Sequence, residues 1–267
     1  MDNSFVFLSI ITFAFGACIG SFLNVCIYRI PAGKSIVSPG SSCRGCGTPI
    51  PFYFNIPVLS WLLLGGRCRF CKIKISIRYL IVELLTAFTA FFLYLKYGAG
   101  PISLYYFIFI CILITISFID FDHRIIPDLL SLPGIIICTS SFYFIPEMGL
   151  KNAIAGIFIG GMSFYTIAFL YYFVRRREGL GGGDIKLLAM IGAATGIKGV
   201  LFTLFSGSLL GTVFGAAAIF RLKTIRKNGL DDPVSKLKIP FGPFLSAGAV
   251  LYIFYGDQLI YWYLNII

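Results

Sequence analysis

The sequence Glu178-Gly-Leu-Gly-Gly-Gly-Asp184 lies between two apolar runs, 152–174 and 185–197, and places a carboxylate directly behind a cluster of glycines. An acid at the edge of a membrane span is costly unless it is hydrated, paired or used in chemistry. Glycines remove side-chain bulk, so another backbone can approach the acid. Taken alone, the stretch also fits a flexible turn in which Asp184 is the N-cap of the following helix.

The composition around this stretch is that of a membrane protein. Of 267 residues, 58% are hydrophobic and the mean hydropathy is +0.91, which is too apolar for a domain dissolved in water. The first apolar run has no basic residue before it and no small-residue cleavage site after it, so it predicts a first span and not a cleaved signal. The lipid bilayer is therefore the expected environment.

The apolar runs predict an all-α polytopic protein with about eight transmembrane helices. Seven windows approach the roughly 20 residues that cross a bilayer as a helix: 5–28, 79–97, 101–119, 129–146, 152–174, 199–220 and 241–264. An eighth, 185–197, rises only about 20 Å as a helix, against a hydrocarbon core of about 30 Å. We therefore expect Asp184 to lie below the lipid surface, in a water-filled recess.

The basic residues predict the orientation of these spans. With the N-terminus outside, the segments 29–78, 120–128, 175–184 and 221–240 share one face, and that face carries every Lys and Arg except Lys96, Lys151, Lys186 and Lys198. The positive-inside rule makes this face cytoplasmic. The net charge of +11 is thereby explained by topology, so no nucleic-acid partner is expected.

Glycines four residues apart predict close packing between spans. Such spacing lets helix backbones approach in lipid, and we interpret it as intramolecular packing without a ligand role. The pairs and the triplet are Gly16 and Gly20, Gly156 and Gly160, Gly192 and Gly196, and Gly207, Gly211 and Gly215.

The loop 29–78 carries two Cys-x-x-Cys pairs about twenty residues apart, Cys43 and Cys46, then Cys68 and Cys71. This spacing is typical of a tetrahedral four-cysteine zinc site, with two disulfides as the alternative. Cytoplasmic thiols stay reduced, which favours Zn²⁺, and four thiolate ligands make the site structural. We predict three parts: a first helix, 1–28; a cytoplasmic zinc-binding loop domain, 29–78; and a seven-helix membrane core, 79–267.

The carboxylates Asp120 and Asp184 predict an aspartyl protease. Two acids that converge at a membrane interface suffice if one takes a proton from water while the other, kept protonated, binds the scissile carbonyl. We interpret Asp122 as a residue that positions Asp120, and Asp128 as the N-cap of the fourth span. The single histidine, His123, is interpreted as an interfacial residue, since no nucleophile partner stands near it in the sequence.

These residues together resemble the type IV prepilin leader peptidases and, through Gly-x-Gly-Asp, the presenilin-type intramembrane proteases. The resemblance rests on Asp120 with Pro127-Asp128 and on Gly181 to Asp184. It extends over most of the chain through Gly20 to Val25 with Tyr28-Arg29 and Pro31, the cysteine pairs around Asn55-Ile56-Pro57, Ser76 to Glu83, Glu178 to Lys186, and Ile239 to Phe244.

The resemblance implies an enzyme that cuts the basic leader of prepilins or pseudopilins at the cytoplasmic membrane face and then N-methylates the new terminus with S-adenosylmethionine. Its catalytic pair carries over to Asp120 and Asp184. Such substrates have an apolar helix in the bilayer and a leader in the cytoplasm. Methyl transfer rests on the resemblance alone, because no Rossmann glycine motif is present, and no residues for the methyl donor are assigned.

The expected helix ends give a hypothesis for the two aspartates. Asp120 ends one predicted helix and Asp184 begins another, so the helix dipoles favour charge on Asp184 as the base and a proton on Asp120 as the acid. Supporting roles are predicted for Asp122, Glu178, Gly181, Gly183 and Lys186. The glycines make room for substrate backbone, and Glu178, Asp122 and Asp128 are candidates for contacts with the basic leader.

Two other functions remain open at this point. One is a presenilin-like protease of other signal sequences, which leaves the paired cysteines and the segment Gly20 to Val25 unexplained. The other is a non-enzymatic multi-pass protein whose acids bind cations. The sequence does not determine the oligomeric state, nor whether the substrates belong to type IV pili, type II secretion or competence.

Overall fold

The computed structural model describes residues 3–176, 181–225 and 240–265, except for the side chains of 3, 52, 221–225 and 264. These residues form α-helices joined by short loops, and the β pairing among them is limited to two isolated bridges. The predicted all-α class is confirmed. The helices are α1 (Asn3–Arg29), α2 (Leu59–Leu63), α3 (Arg78–Tyr97), α4 (Pro101–His123), α5 (Asp128–Thr139), α6 (Ser141–Phe144), α7 (Leu150–Arg175), α8 (Gly182–Ile225) and α9 (Gly242–Leu264).

Within the described ranges, five helices are long and apolar enough to cross a membrane: Ser4–Arg29, Arg78–Tyr97, Pro101–His123, Leu150–Arg175 and Gly182–Phe220. The chain is therefore a multi-pass membrane protein. The total of eight spans and the division of the chain into three parts stay predictions.

The fourth predicted span, 129–146, is shorter in the structure. It consists of α5 and α6, a stretch of apolar helix from Asp128 to Phe144 with a break at Ser140. The helix stops at Phe144 because Pro146 excludes the helical conformation at the residue before it, and Ile145 is extended (φ −109°, ψ 109°). At about 1.5 Å per residue, the stretch is marginal for crossing the bilayer.

Helix α8 contains a break at Gly196, two residues before the boundary at Lys198 that the sequence predicts between the spans 185–197 and 199–220. Gly196 adopts φ 66° and ψ −168°, a region that essentially only glycine occupies. The side chain of Asn152 on α7 repairs the interruption, because its Oδ1 accepts a hydrogen bond from the Ile197 amide at 3.3 Å. The short segment after Asp184 and the long segment after Gly196 are thus joined as one kinked element.

The chain divides into two compact units, Met1–Thr115 and Ile116–Ile267. In the first, α1 packs on α3 at Gly16 and Gly20, where an added Cβ would lie 2.7 Å from the Thr86 oxygen and from the Glu83 Cα respectively. In the second, an added Cβ at Gly160 would lie 2.5 Å from the Leu188 oxygen of α8. Since Gly156 and Gly192 also meet through their backbones, the predicted packing role of these glycines is confirmed.

Candidate active site and metal centre

Asp120 lies in the last turn of α4, and it is buried although it is an acid, with 6% of its surface exposed. The helix ends three residues later because Arg124 takes a left-handed conformation (φ 57°), and its amide donates to the Asp120 carbonyl oxygen at 2.8 Å. The backbone that carries the Asp120 side chain is therefore held in a defined conformation by this hydrogen bond.

Asp184 lies in the first turn of α8, which begins two residues earlier at Gly182. Its amide donates to the Gly181 oxygen at 3.1 Å. The interpretation of Asp184 as an N-cap is thus wrong, because the glycines before it themselves start the helix. Its side chain is half-buried, and no described residue is a hydrogen-bond partner of its carboxyl group.

The fold brings the two predicted catalytic acids together within the second unit. Asp120 and Asp184 lie within electrostatic range of each other. Gly183 allows this approach, since a Cβ there would lie 2.8 Å from the Cβ of Ile126 in the loop after α4. Gly183 therefore serves helix packing, whereas an added Cβ at Gly182 would meet nothing within 4 Å, so that glycine leaves open space.

A third helix completes this site at a residue that we did not predict. The amide of Gly242, the first residue of α9, donates to Oδ2 of Asp120 at 3.0 Å. The first amides of a helix have no partner within it and carry its positive dipole end, so this donor favours an ionised acceptor. The signal in the sequence is the segment Ile239 to Phe244, which the family resemblance includes without a role.

Asp128 forms an ion pair and does not cap a helix. Lys186 Nζ on α8 lies 2.6 Å from Asp128 Oδ1, while the N-cap of α5 is Pro127, with no side-chain cap. The N-cap interpretation of Asp128 is wrong because its carboxylate faces α8. The pair links the first turns of α5 and α8 beside the two catalytic candidates.

The sequence also assigns supporting roles to Asp122, Gly181 and Glu178, and the three outcomes differ. Asp122 is exposed, two residues after the buried Asp120, and residues two apart on a helix do not share a face. A direct positioning contact from Asp122 to Asp120 is therefore not supported. Gly181 leaves room beside the acid, since a Cβ there would lie 3.6 Å from Asp184 Oδ2. Glu178 lies outside the described residues.

The four loop cysteines form two matching knuckles. In the first, the Cys43 amide bonds the Thr48 oxygen and the Gly47 amide bonds the Cys43 oxygen; in the second, Cys68, Ile73 and Lys72 repeat the pattern. Gly47 (φ 69°) and Lys72 (φ 59°) both take the left-handed conformation directly after the second cysteine of each pair. This symmetry points each pair of thiols toward the other pair.

The geometry of the thiols fits a metal ion. All four sulfurs lie within 4.8 Å of one another, and those of Cys43 and Cys71 are 3.6 Å apart. A tetrahedral zinc site with bonds of about 2.3 Å separates its sulfurs by about 3.8 Å. The cysteines are not joined in disulfides. Hydrogen bonds from the Thr48 hydroxyl and amide lower the pKa of the Cys46 thiol to about 6, which favours the thiolate form that binds metal.

The four-cysteine loop, residues 43–71, is attached to the helices of its own unit by several contacts, two of which involve Arg44 and Val58. The Arg44 guanidinium of the first knuckle lies 3.8 Å from the ring centroid of Tyr28 at the end of α1. The amide of Val58, a residue with φ 64°, donates at 2.7 Å to Glu83 on α3, which is buried. A β-branched residue in this conformation is strained, so the carboxylate of Glu83 stabilises a loop shape that the chain alone disfavours.

Comparisons with known proteins agree across most of the chain. The family model for the bacterial peptidase A24 N-terminal domain matches residues 14–97, and the model for the type IV leader peptidase family matches residues 107–216. A prepilin leader peptidase/N-methyltransferase of Myxococcus xanthus is 37% identical over 228 residues, which cover 84% of this chain and 68% of the relative. Relatives with the same name from Pseudomonas putida and Dichelobacter nodosus are each 33% identical, over 91% and 92% of this chain and 89% and 91% of their own length. No solved structure matches.

Proposed function

The chain belongs to the type IV leader peptidase family, and we propose from this that it cleaves the leader of prepilins or pseudopilins and N-methylates the new N-terminus. The observation that carries the peptidase assignment is that Asp120 of α4 and Asp184 of α8 lie within electrostatic range of each other. Neither the presenilin-like alternative nor the cation-binding one is favoured by the relatives, whose names give the same two activities throughout.

We assign Asp120 as the base and Asp184 as the acid, which reverses the hypothesis drawn from the helix ends. A hydrogen bond to a charged group contributes about 1.5–3 kcal/mol, whereas one helix dipole contributes about 0.3–1 kcal/mol. The Gly242 amide therefore outweighs the unfavourable C-terminal end of α4 and supports a charged Asp120. Asp184, without such a donor among the described residues, keeps the proton that two adjacent acids share.

The proposed reaction follows from these two roles. Asp120 takes a proton from a water molecule, whose oxygen attacks the scissile carbonyl carbon. Asp184 donates a hydrogen bond to the carbonyl oxygen, so negative charge on that oxygen is stabilised as the tetrahedral intermediate forms. The intermediate collapses when Asp120 gives the proton that it took from water to the leaving amine, and the C–N bond breaks. The pair thereby returns to its starting state, with Asp120 ionised and Asp184 protonated.

Several finer assignments are supported by the sequence and the relatives. The basic loops support a cytoplasmic active site in the bacterial inner membrane. The cysteine cluster supports a closed structural Zn²⁺ site held by Cys43, Cys46, Cys68 and Cys71, which orders the loop and leaves no position for an activated water. S-adenosylmethionine is the proposed methyl donor because the relatives are named N-methyltransferases, and no residue is assigned to it.

The test is cleavage of a purified prepilin by the purified protein reconstituted in lipid. Asp120→Asn and Asp184→Asn should each abolish cleavage, since neither amide can exchange the required proton. Asp257→Asn is the matched control, because Asp257 is an exposed acid of α9 about 22 Å along the helix from Gly242. Full cleavage by either catalytic variant contradicts the dyad.

A further inference from the structure

A groove of about 330 Å³ lies between α8 and α9 in the second unit. Its lining consists of two aromatic rings at the start of α9 and small residues on α8, namely Phe241, Phe244, Ser208, Gly211 and Thr212. The Thr212 hydroxyl donates to the Ser208 carbonyl oxygen at 2.8 Å, so this polar group is satisfied within α8. The walls that face the groove therefore combine two aromatic rings with small residues of α8.

Gly211 keeps the groove open. A Cβ at this position would lie 3.3 Å from Cε2 of Phe241 and 3.6 Å from Cδ2 of Phe244, so a longer side chain would occupy the space between the rings. The rings are themselves supported: Phe241 packs on Phe164 of α7, with ring centroids 5.9 Å apart, and Phe244 packs on Phe214, at 5.7 Å. The groove thus has defined walls.

The groove adjoins the catalytic pair. Phe241 directly precedes Gly242, whose amide is 3.0 Å from Asp120 Oδ2. An extended peptide advances about 3.3 Å per residue. A side chain that enters the groove therefore belongs to a residue within a few positions of a peptide bond held at Asp120.

The surroundings of the groove select an apolar occupant that arrives through the bilayer. The α8 residues that line it lie inside the candidate span Gly182–Phe220, and their neighbours Leu209 and Val213 are 55% and 57% exposed on what is a lipid-facing surface. The leader of a prepilin is basic, whereas the segment after the cleaved bond is its membrane helix. Only the second fits an aromatic groove within the membrane.

We propose that this groove binds one apolar side chain of the prepilin, close after the cleaved bond, and so selects the substrate and sets the register of cleavage. The proposal rests on the proposed peptidase function. It makes Gly211, Phe241 and Phe244 specificity-determining residues of the site.

The test compares Gly211→Leu, which fills the groove, with Val213→Leu, which places the same side chain on the lipid-facing surface two residues away. Each protein is assayed with the parent prepilin and with a set of prepilins in which the first residues after the cleaved bond are changed singly to Ala. Gly211→Leu should raise KM for the parent about tenfold or more with kcat within about twofold. With the wild-type protein, one of the Ala substrates should show the same increase in KM, because its Ala replaces the side chain that enters the groove. With that substrate, Gly211→Leu should raise KM no further.

Two outcomes would overturn the groove assignment. In the first, Gly211→Leu behaves like Val213→Leu. In the second, Gly211→Leu raises KM to the same extent for every Ala substrate. The second of these is what an acyl chain bound in the groove would give. If Gly211→Leu does not fold, benzoylphenylalanine at Thr212 should crosslink the prepilin, and crosslinking only to lipid contradicts the proposal. A wild type that fails to cleave prepilin would instead overturn the peptidase function.

Discussion

At the scale of single residues, the site depends on a backbone amide as much as on its two acids. Asp120 is buried at the end of α4, where nothing in its own helix favours a charge. The amide of Gly242 supplies a donor from α9, and glycine is required there because any Cβ would lie 2.7 Å from Asp120 Oδ2. The residue type is thus explained by the carboxylate that it faces.

Gly242→Ala should lower kcat of cleavage about 100-fold while leaving the fold intact. The added methyl displaces the end of a flexible side chain and not a backbone, so the Asp120 carboxylate moves and the helices do not; a misplacement of about 1 Å costs about this factor. Loss of the hydrogen bond from the residue-242 amide to the displaced carboxylate should also move the acidic limb of the kcat/KM profile to higher pH, because an ionised Asp120 is less stabilised. The measurement is the pH dependence of cleavage in reconstituted protein.

Gly149→Ala is the control for that substitution, since a Cβ there would meet nothing within 4 Å. A Gly242→Ala protein that cleaves as fast as Gly149→Ala would contradict the role of Gly242.

The ion pair between Lys186 and Asp128 should contribute little to stability despite its 2.6 Å distance. Its side chains are 36% and 60% exposed, and exposed pairs are worth about 0–1 kcal/mol. A double-mutant cycle with Lys186→Met and Asp128→Asn, followed by chemical denaturation in detergent, should give a coupling energy within this range. A coupling above about 2 kcal/mol would show that the pair is shielded from solvent.

At the scale of elements, the contact between α7 and α8 depends on glycines that let two backbones touch. Gly160 and Gly161 are neighbours, but only the first faces α8 closely, with an added Cβ 2.5 Å from the Leu188 oxygen. At Gly161 the nearest atom to an added Cβ is the Cβ of Ala189 at 3.7 Å, an ordinary contact. The two positions therefore form a natural comparison.

Gly160→Ala should destabilise the protein by about 1–3 kcal/mol, the usual cost of overpacking, because backbone atoms must separate. Gly161→Ala should have an effect within about 0.5 kcal/mol, as for a substitution without a clash. The free energy of unfolding in detergent measures both. Equal effects of the two substitutions would contradict the close packing of α7 on α8 at Gly160.

The four-cysteine loop, residues 43–71, should bind Zn²⁺ with an affinity that falls as the pH falls. Each thiol must lose its proton to bind Zn²⁺, and each proton displaced makes the dissociation constant rise about tenfold per pH unit of acidification. Because the pKa of Cys46 is lowered to about 6, protons compete with Zn²⁺ for its thiolate only below that pH. The slope of log Kd against pH should therefore steepen below pH 6, as measured by competition with a chelator.

Removal of a ligand provides the control for this site. Cys43→Ser should release the metal, whereas Cys18→Ser, at an exposed cysteine of α1, should keep it. Unchanged zinc content in the first variant, or a pH-independent affinity in the wild type, would contradict a four-thiolate site.

At the scale of the whole molecule, the basic loops predict one orientation in the membrane. Cysteines introduced at Lys72 and Arg124 should react with an impermeant thiol reagent only from the cytoplasmic side, and one introduced at Glu147 only from the opposite side. Variants of this kind need a background in which the exposed Cys18 is replaced. Labelling of Arg124→Cys and Glu147→Cys from the same side would contradict the arrangement of α5 and α6 as a crossing segment.

The sequence alone determined the class of protein, the membrane solvent and the four-cysteine cluster, and it predicts the catalytic pair Asp120 and Asp184. Each of these is carried by residue types at fixed spacing: long apolar runs, Cys-x-x-Cys repeated once, and acids at the edges of spans. The sequence predicts a boundary between two spans at Lys198, close to the break at Gly196, but it does not predict the repair by Asn152.

Only the tertiary structure decided which partners the acids have. Asp128 turned out to pair with Lys186, 58 residues later, and Asp120 with the Gly242 amide, 122 residues later. Local sequence predicts helix ends and caps, because those depend on neighbouring residues. A hydrogen bond between distant helices depends on how close packing aligns them, and for that reason neither the bond from Gly242 to Asp120 nor the groove beside it could be predicted from the sequence.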